Sequence, residues 1–162
     1  MRFFLYTYAV PENWAITRRA GVFGTKKDRT GLPSKVRHLR RDDLILIRDG
    51  TKEQLQFFGC CRVCGDVFDH DKYSPFRDFL WQEEITHQRV IYPLRVPVDT
   101  KDVPKLSLEA ISWVSLDTLG FRNTKGLPIQ GPRAWAKKLI GNFVERSDEV
   151  EAFSRLVGLS AA

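Results

Sequence analysis

At 162 residues the chain is the size of one domain, taken here as a single unit over 1–162, and is long enough to bury a core. Hydrophobic residues make up 43% and charged residues 28%, a soluble globular composition rather than a disordered or fibrous one. No apolar run approaches membrane-spanning length, since "DDLILIRDG" stops after four residues. Three cysteines and no cleavable leader point to a reducing, cytoplasmic compartment.

In chain order, "RFFLYTYAV" reads as an aromatic-rich opening strand. "PENWAITRRAG" carries proline in a first helical turn and glycine just past the end, which predicts a short helix. "LPSKVRHLRRD" predicts a second, opened by Pro33 and Ser34. "DLILIRD" and "QFFGCCRVCGDVF" read as strands joined by a hairpin-like "DGTKEQ". "VIYPLRVPVD" is a further strand, and Pro93 and Pro97 place it at an edge or a bulge. "SLEAISWVSL" predicts a helix. "GPRAWAKKLIGNFVERSDEVEAFSRLVG" is the longest helical pattern, with Trp135, Leu139, Ile140 and Phe143 on the apolar side. Gly141 and "ERSDE" divide it into C-terminal helices over roughly 130–158. Short strands interleaved with short helices predict an α+β fold, a curved sheet or small open β-barrel with peripheral helices.

The net charge of +6 points to a polyanionic partner. Its location is more telling. Between Arg18 and Arg41 lie nine Lys/Arg against one acid, Asp28, with the aromatic Phe23 embedded, so the rest of the chain is slightly acidic. A solvated basic face is the plain alternative.

Catalytic patterns are missing. No glycine-rich strand-to-helix phosphate loop occurs. "CCRVC" resembles half of a zinc site, but no second cysteine pair follows, and strand alternation throws Cys61 and Cys64 to opposite faces. The acidic pairs Glu83–Glu84 and Asp42–Asp43 are adjacent in sequence, not spaced as a general acid and base. The expectation is a binding protein, not an enzyme, without cofactor or metal. A nuclease or hydrolase with an unrecognised site is the rival class.

"RFFLYTYAVPENWAITRRAGVFGT" followed by "RRDDLILIRDG…FFGCCRV" resembles the pattern shared by EVE and YTH domains of the PUA-like superfamily. The matching features are Asn13 in a short helix, the "GVFGT" turn at 21–25, "DLILI" and "FFG". "FLWQEE" and "YPLR" are similar to the tryptophan and Y-P-x-R strand of EVE domains. The resemblance covers residues 2–100 well and the last third loosely. It implies a reader of modified bases that flips a nucleobase into an aromatic cage. By position it assigns Phe23 and Trp81 as cage walls, though the first is normally tryptophan. It sets Asn13 on the base edge, with Gly24 and Thr25 bringing backbone close; Trp14 is a further cage candidate.

The same resemblance implies methylated DNA, with N6-methyladenine favoured over 5-methylcytosine and DNA over RNA. It also implies the specificity module of a McrB-like restriction system, whose AAA+ motor and nuclease would be separate. Arg18, Arg19, Lys26, Lys27 and Arg133 are the candidate phosphate contacts. Each residue has a plainer reading as well. Phe23, Trp81 and Trp14 fit a core, Asn13 fits a helix cap, and the cations fit a solvated surface. As an open cage wall, Trp81 would lose about 1–3 kcal/mol of binding on truncation to alanine, with the melting temperature unchanged.

Overall fold

The computed structural model describes residues 1–27, 36–70, 79–119, 142–144 and 147–159. Its strands are β1 (Phe3–Tyr8), β2 (Val22–Thr25), β3 (Leu44–Asp49), β4 (Phe57–Val63), β5 (Phe68–Asp69), β6 (Leu94–Asp99) and β7 (Asn142–Val144). The α-helices are α1 (Glu12–Ala20), α2 (Gln82–His87), α3 (Trp113–Thr118) and α4 (Ser147–Leu156), with a 3-10 turn at Leu108–Ala110. The fold is α+β. One mixed sheet runs in the order β2-β6-β4-β3-β1-β7, with β5 paired to β6. β1 and β3 are parallel; the other pairs are antiparallel.

β1 over 3–6 and β3 over 44–47 are apolar at successive positions because both faces are covered there. Phe3 and Leu5 of β1 and Leu44 and Leu46 of β3 face one core, closed by Ile111, Leu116 of α3 and Phe153 and Val157 at α4. Phe4, Tyr6 and Tyr8, with Ile45 and Ile47, face the other. Cys61 and Val63 of β4, Phe23 of β2, and Leu94, Val96 and Val98 of β6 join that second core. Five strands thus contribute alternate residues to one cluster, and the sheet curves around it. Arg48 is buried at the end of β3, with its guanidinium 4.7 Å from the centre of the half-buried Trp113 ring.

Five elements differ from the sequence reading. The "GVFGT" turn is strand β2, and "QFFGCCRVCGDVF" is divided into β4 and β5. β6 is not an edge strand: its residues 94–97 pair with β2 and 98–99 with β4. Pro97 stands where β6 changes partner, so its missing N–H falls at the bend. "SLEAISWVSL" is not one helix. Ser112 breaks it, capping α3 by accepting from the Ser115 N–H at 3.1 Å. "NFV", inside the longest helical pattern, forms β7 on β1, in the register Phe3↔Val144 to Leu5↔Asn142. The rest of that pattern up to 141, with Arg133 and Trp135, and most of the "LPSKVRHLRRD" opening lie outside the described residues.

Cys60 and Cys61 enter opposite cores, as neighbours on a strand must. Burial pushes the Cys60 thiol up to about 12 and the Cys61 thiol well above its usual value. Because the thiolate is the nucleophile, neither reacts near neutral pH. A thiol-titrating reagent at pH 8 is expected to label the half-buried Cys64 quickly and the other two only on unfolding; rapid labelling of all three would contradict this burial.

Candidate functional site

α1 begins after Pro11 and ends at Gly21, whose φ of 67° closes the helix through a 2.9 Å bond from its N–H to the Thr17 carbonyl. Asn13 and Thr17 are one turn apart, buried on the same stripe and turned toward the segment that carries Trp81. Asn13 Oδ1 accepts from the Gln82 N–H at 3.2 Å, and its Nδ2 donates to Glu83 Oε2 at 3.1 Å. Asn13 is therefore not the cap of its own helix. It docks the start of α2.

Trp81 immediately precedes α2 and is 2% exposed. Its Nε1–H donates to Thr17 Oγ1 at 3.3 Å, and that hydroxyl is bonded to the Tyr8 hydroxyl at 2.7 Å. The benzene end of the indole stands on Gly24, where an added Cβ would come within 2.4 Å of Cη2. Only glycine permits that approach. The Arg95 guanidinium is 5.1 Å from the indole centre, and the Tyr92 ring meets it edge-on at 5.4 Å.

Sequence reasoning missed what holds this arrangement. Glu84 is fully buried and Arg95 is 3% exposed. Their ion pair closes at 3.1 Å. Glu84 Oε1 also accepts from the Leu80 N–H at 3.0 Å, and Oε2 from the N–H groups of Ile91 and Tyr92 at 2.8 and 3.0 Å. One carboxylate thereby ties both ends of the α2 segment to β6. The only sequence signal was an acid beside "FLW" and an arginine in "YPLR", and neither announces burial. The Tyr92 hydroxyl donates to Glu83 Oε1 at 3.0 Å; burial, then the Glu83 charge, hold that phenol protonated, well above its usual range.

Phe23 and Trp81 are not brought face to face. Successive residues of a strand point to opposite faces, so the indole on Gly24 and the ring of Phe23 lie on either side of β2. Phe23 is 2% exposed, edge-on to Tyr6 at 4.8 Å and stacked with Tyr8 at 6.5 Å. Thr25 is buried beside it, on the same side of β2. Trp14 packs, half-buried, against the edge of that same second core, its ring resting on Gly59 of β4.

Of the candidate phosphate contacts, Lys26 lies 6.0 Å from the Tyr92 ring, at the mouth of the site. Lys27 is paired with Asp69, which Arg37 also approaches at 3.9 Å. Arg18 and Arg19 are exposed on the far side of α1. Among the described residues no group of three His, Cys, Asp or Glu is placed to hold a metal ion, and no helix is long and apolar enough to cross a membrane.

No protein-family model matches the chain, and no curated protein does. Solved structures do match. The YTH domain of Toxoplasma CPSF4, in complex with a 7-mer m6A-modified RNA, superposes with a TM-score of 0.51 at 16% identity, covering 96% of this chain and 89% of that one. The YTH domain of Zygosaccharomyces rouxii MRB1, in complex with N6-methyladenosine RNA, gives 0.52 at 11% identity, covering 99% and 89%. At these identities the likeness is one of fold.

Proposed function

We propose that the protein reads a methylated nucleobase, N6-methyladenine first, extruded from a nucleic-acid strand and held where Trp81 meets Gly24. The observation that carries this reading is the indole set on bare backbone and bracketed by Asn13, Thr17 and Tyr92, in a fold shared with YTH domains. The half-buried Tyr92 is the movable cover: the base takes its place against the indole, and Asn13 exchanges Gln82 and Glu83 for the base edge. Stacking contributes about 1–3 kcal/mol and offsets the few kcal/mol of unstacking. The buried methyl adds only about 0.8 kcal/mol. Most discrimination comes from the unmethylated base, whose spare N–H is left unpaired at a cost of about 1–3 kcal/mol.

In its finer form the strand is DNA, and the module serves a McrB-like restriction system with its AAA+ motor and nuclease elsewhere. The RNA held by the similar YTH domains favours a second form, in which the same site takes N6-methyladenine from RNA. The test is a panel of DNA and RNA oligonucleotides, each unmodified or carrying N6-methyladenine or 5-methylcytosine. The reading expects the tightest binding for N6-methyladenine in DNA. Tighter binding of the methylated RNA selects the second form, and equal affinity for methylated and unmethylated strands refutes both.

Phosphate contacts fall to cations that no carboxylate among the described residues holds. With Arg18, Arg19, Lys26 and Lys101 as about four contacts to a single strand, log K is expected to fall against log salt with a slope of about −3. Lys27→Ala should leave that slope unchanged, since Asp69 already holds Lys27. A slope near zero would mean that these cations only face solvent.

A further inference from the structure

α1 has a second functional stripe, turned away from Trp81. Trp14 and Arg18 are one turn apart on it. Trp14 lies against the β4 backbone at Gly59, where a Cβ would approach its Cζ2 to 2.7 Å. With Phe58 it floors an open groove of about 570 Å³ that Arg18, Arg19 and Lys101 also line. No acidic side chain among the described residues lines this groove. Among the described residues none of the three cations is ion-paired. The adjacent acids, Asp99 and Asp102, are each held by Arg62 at 3.5 Å. By contrast Lys27 and Arg2 are neutralised by Asp69 and Asp43.

We propose that this groove binds one nucleotide of single-stranded nucleic acid flanking the base that is read. Its base stacks on Trp14 and Phe58, and Arg18, Arg19 and Lys101 hold the phosphates. The proposal rests on the nucleic-acid reading above and assigns it a second, separate subsite. The volume is that of a small-molecule site. The combination of aromatic floor and cationic lining is what a single strand requires, because every base has a π face and every linkage a charge. Among the described residues that line it there is no carboxylate or side-chain amide to read a base edge, so the groove accepts any base. It therefore adds affinity without adding methyl discrimination.

The test uses the full chain with Trp14→Leu, which keeps Gly59 covered, and Lys101→Glu, an exposed change that leaves the fold intact. Each is titrated with a labelled short single strand carrying a central N6-methyladenine, and with its unmodified counterpart. Trp14→Leu should weaken both strands by the same factor, about 5- to 150-fold, the value of one stacked base. Lys101→Glu should weaken both equally as well. Iodouracil placed next to the methylated base should photo-crosslink to the peptide containing Trp14 or Phe58. Wild-type affinity of Lys101→Glu for both strands, with no crosslink to either peptide, overturns the proposal. Loss confined to the methylated strand also overturns it, because the groove would then belong to the reading site. If the wild-type protein shows no methyl preference while both variants still weaken both strands, the groove stands and the methylated-base reading falls.

Discussion

Trp81→Ala is expected to destabilise the fold by about 3–5 kcal/mol, the cost of emptying a large buried aromatic site. The sequence alone reads Trp81 as a cage wall, with truncation felt in binding and not in stability. Its environment reverses that order. The indole is 2% exposed, stands on Gly24, donates to Thr17 and lies beside Arg95 and Tyr92. Removing it leaves a cavity against rigid backbone and strips Arg95 of an aromatic neighbour. Equilibrium denaturation with urea measures the loss directly. A loss below about 1 kcal/mol would mean that the indole is not packed as described.

Glu84→Ala is expected to cost a comparable amount, about 3–5 kcal/mol, because it removes a fully buried carboxylate that is ion-paired with the buried Arg95 guanidinium. Three backbone N–H groups, those of Leu80, Ile91 and Tyr92, lose their acceptor in the same change. The damage reaches the site, since these bonds position Trp81 at one end of α2 and Tyr92 at the other. Glu84→Gln should fall in between: it keeps the shape and one carbonyl acceptor, but turns an amide donor toward Arg95 or the backbone. Denaturation midpoints for the two variants should therefore rank alanine below glutamine below wild type. Equal midpoints for all three would remove Glu84 from its structural role.

What the sequence revealed and what it hid follow from where the information lies. "FFLY" and "LILI" announced central strands, because a strand covered on both faces is apolar throughout. α1 was legible at both ends, through Pro11 and Gly21. β7 was not: "NFV" sits within a helical period and becomes a strand by pairing with β1, a contact between the two ends of the chain. Of the candidate site residues, the structure brings Asn13, Gly24 and Trp81 to one place, and binding of a base there is the proposal. Phe23 sits next to Gly24 in sequence, and that adjacency on a strand is what carries it to the opposite face. Glu84 was passed over because a buried carboxylate looks, in sequence, like any acid on a short helix.

The central claim is that a methylated base is bound against Trp81, and the indole N–H of that residue reports on it directly. This proton is donated to Thr17 Oγ1, and its nitrogen-15 correlation signal can be assigned as the one lost in Trp81→Phe. Adding an oligonucleotide with a single N6-methyladenine is expected to move that signal, whereas the unmodified strand at the same concentration should leave it in place. A Trp81 signal that stays fixed when the methylated strand saturates the protein, or that moves equally with both strands, would contradict the account.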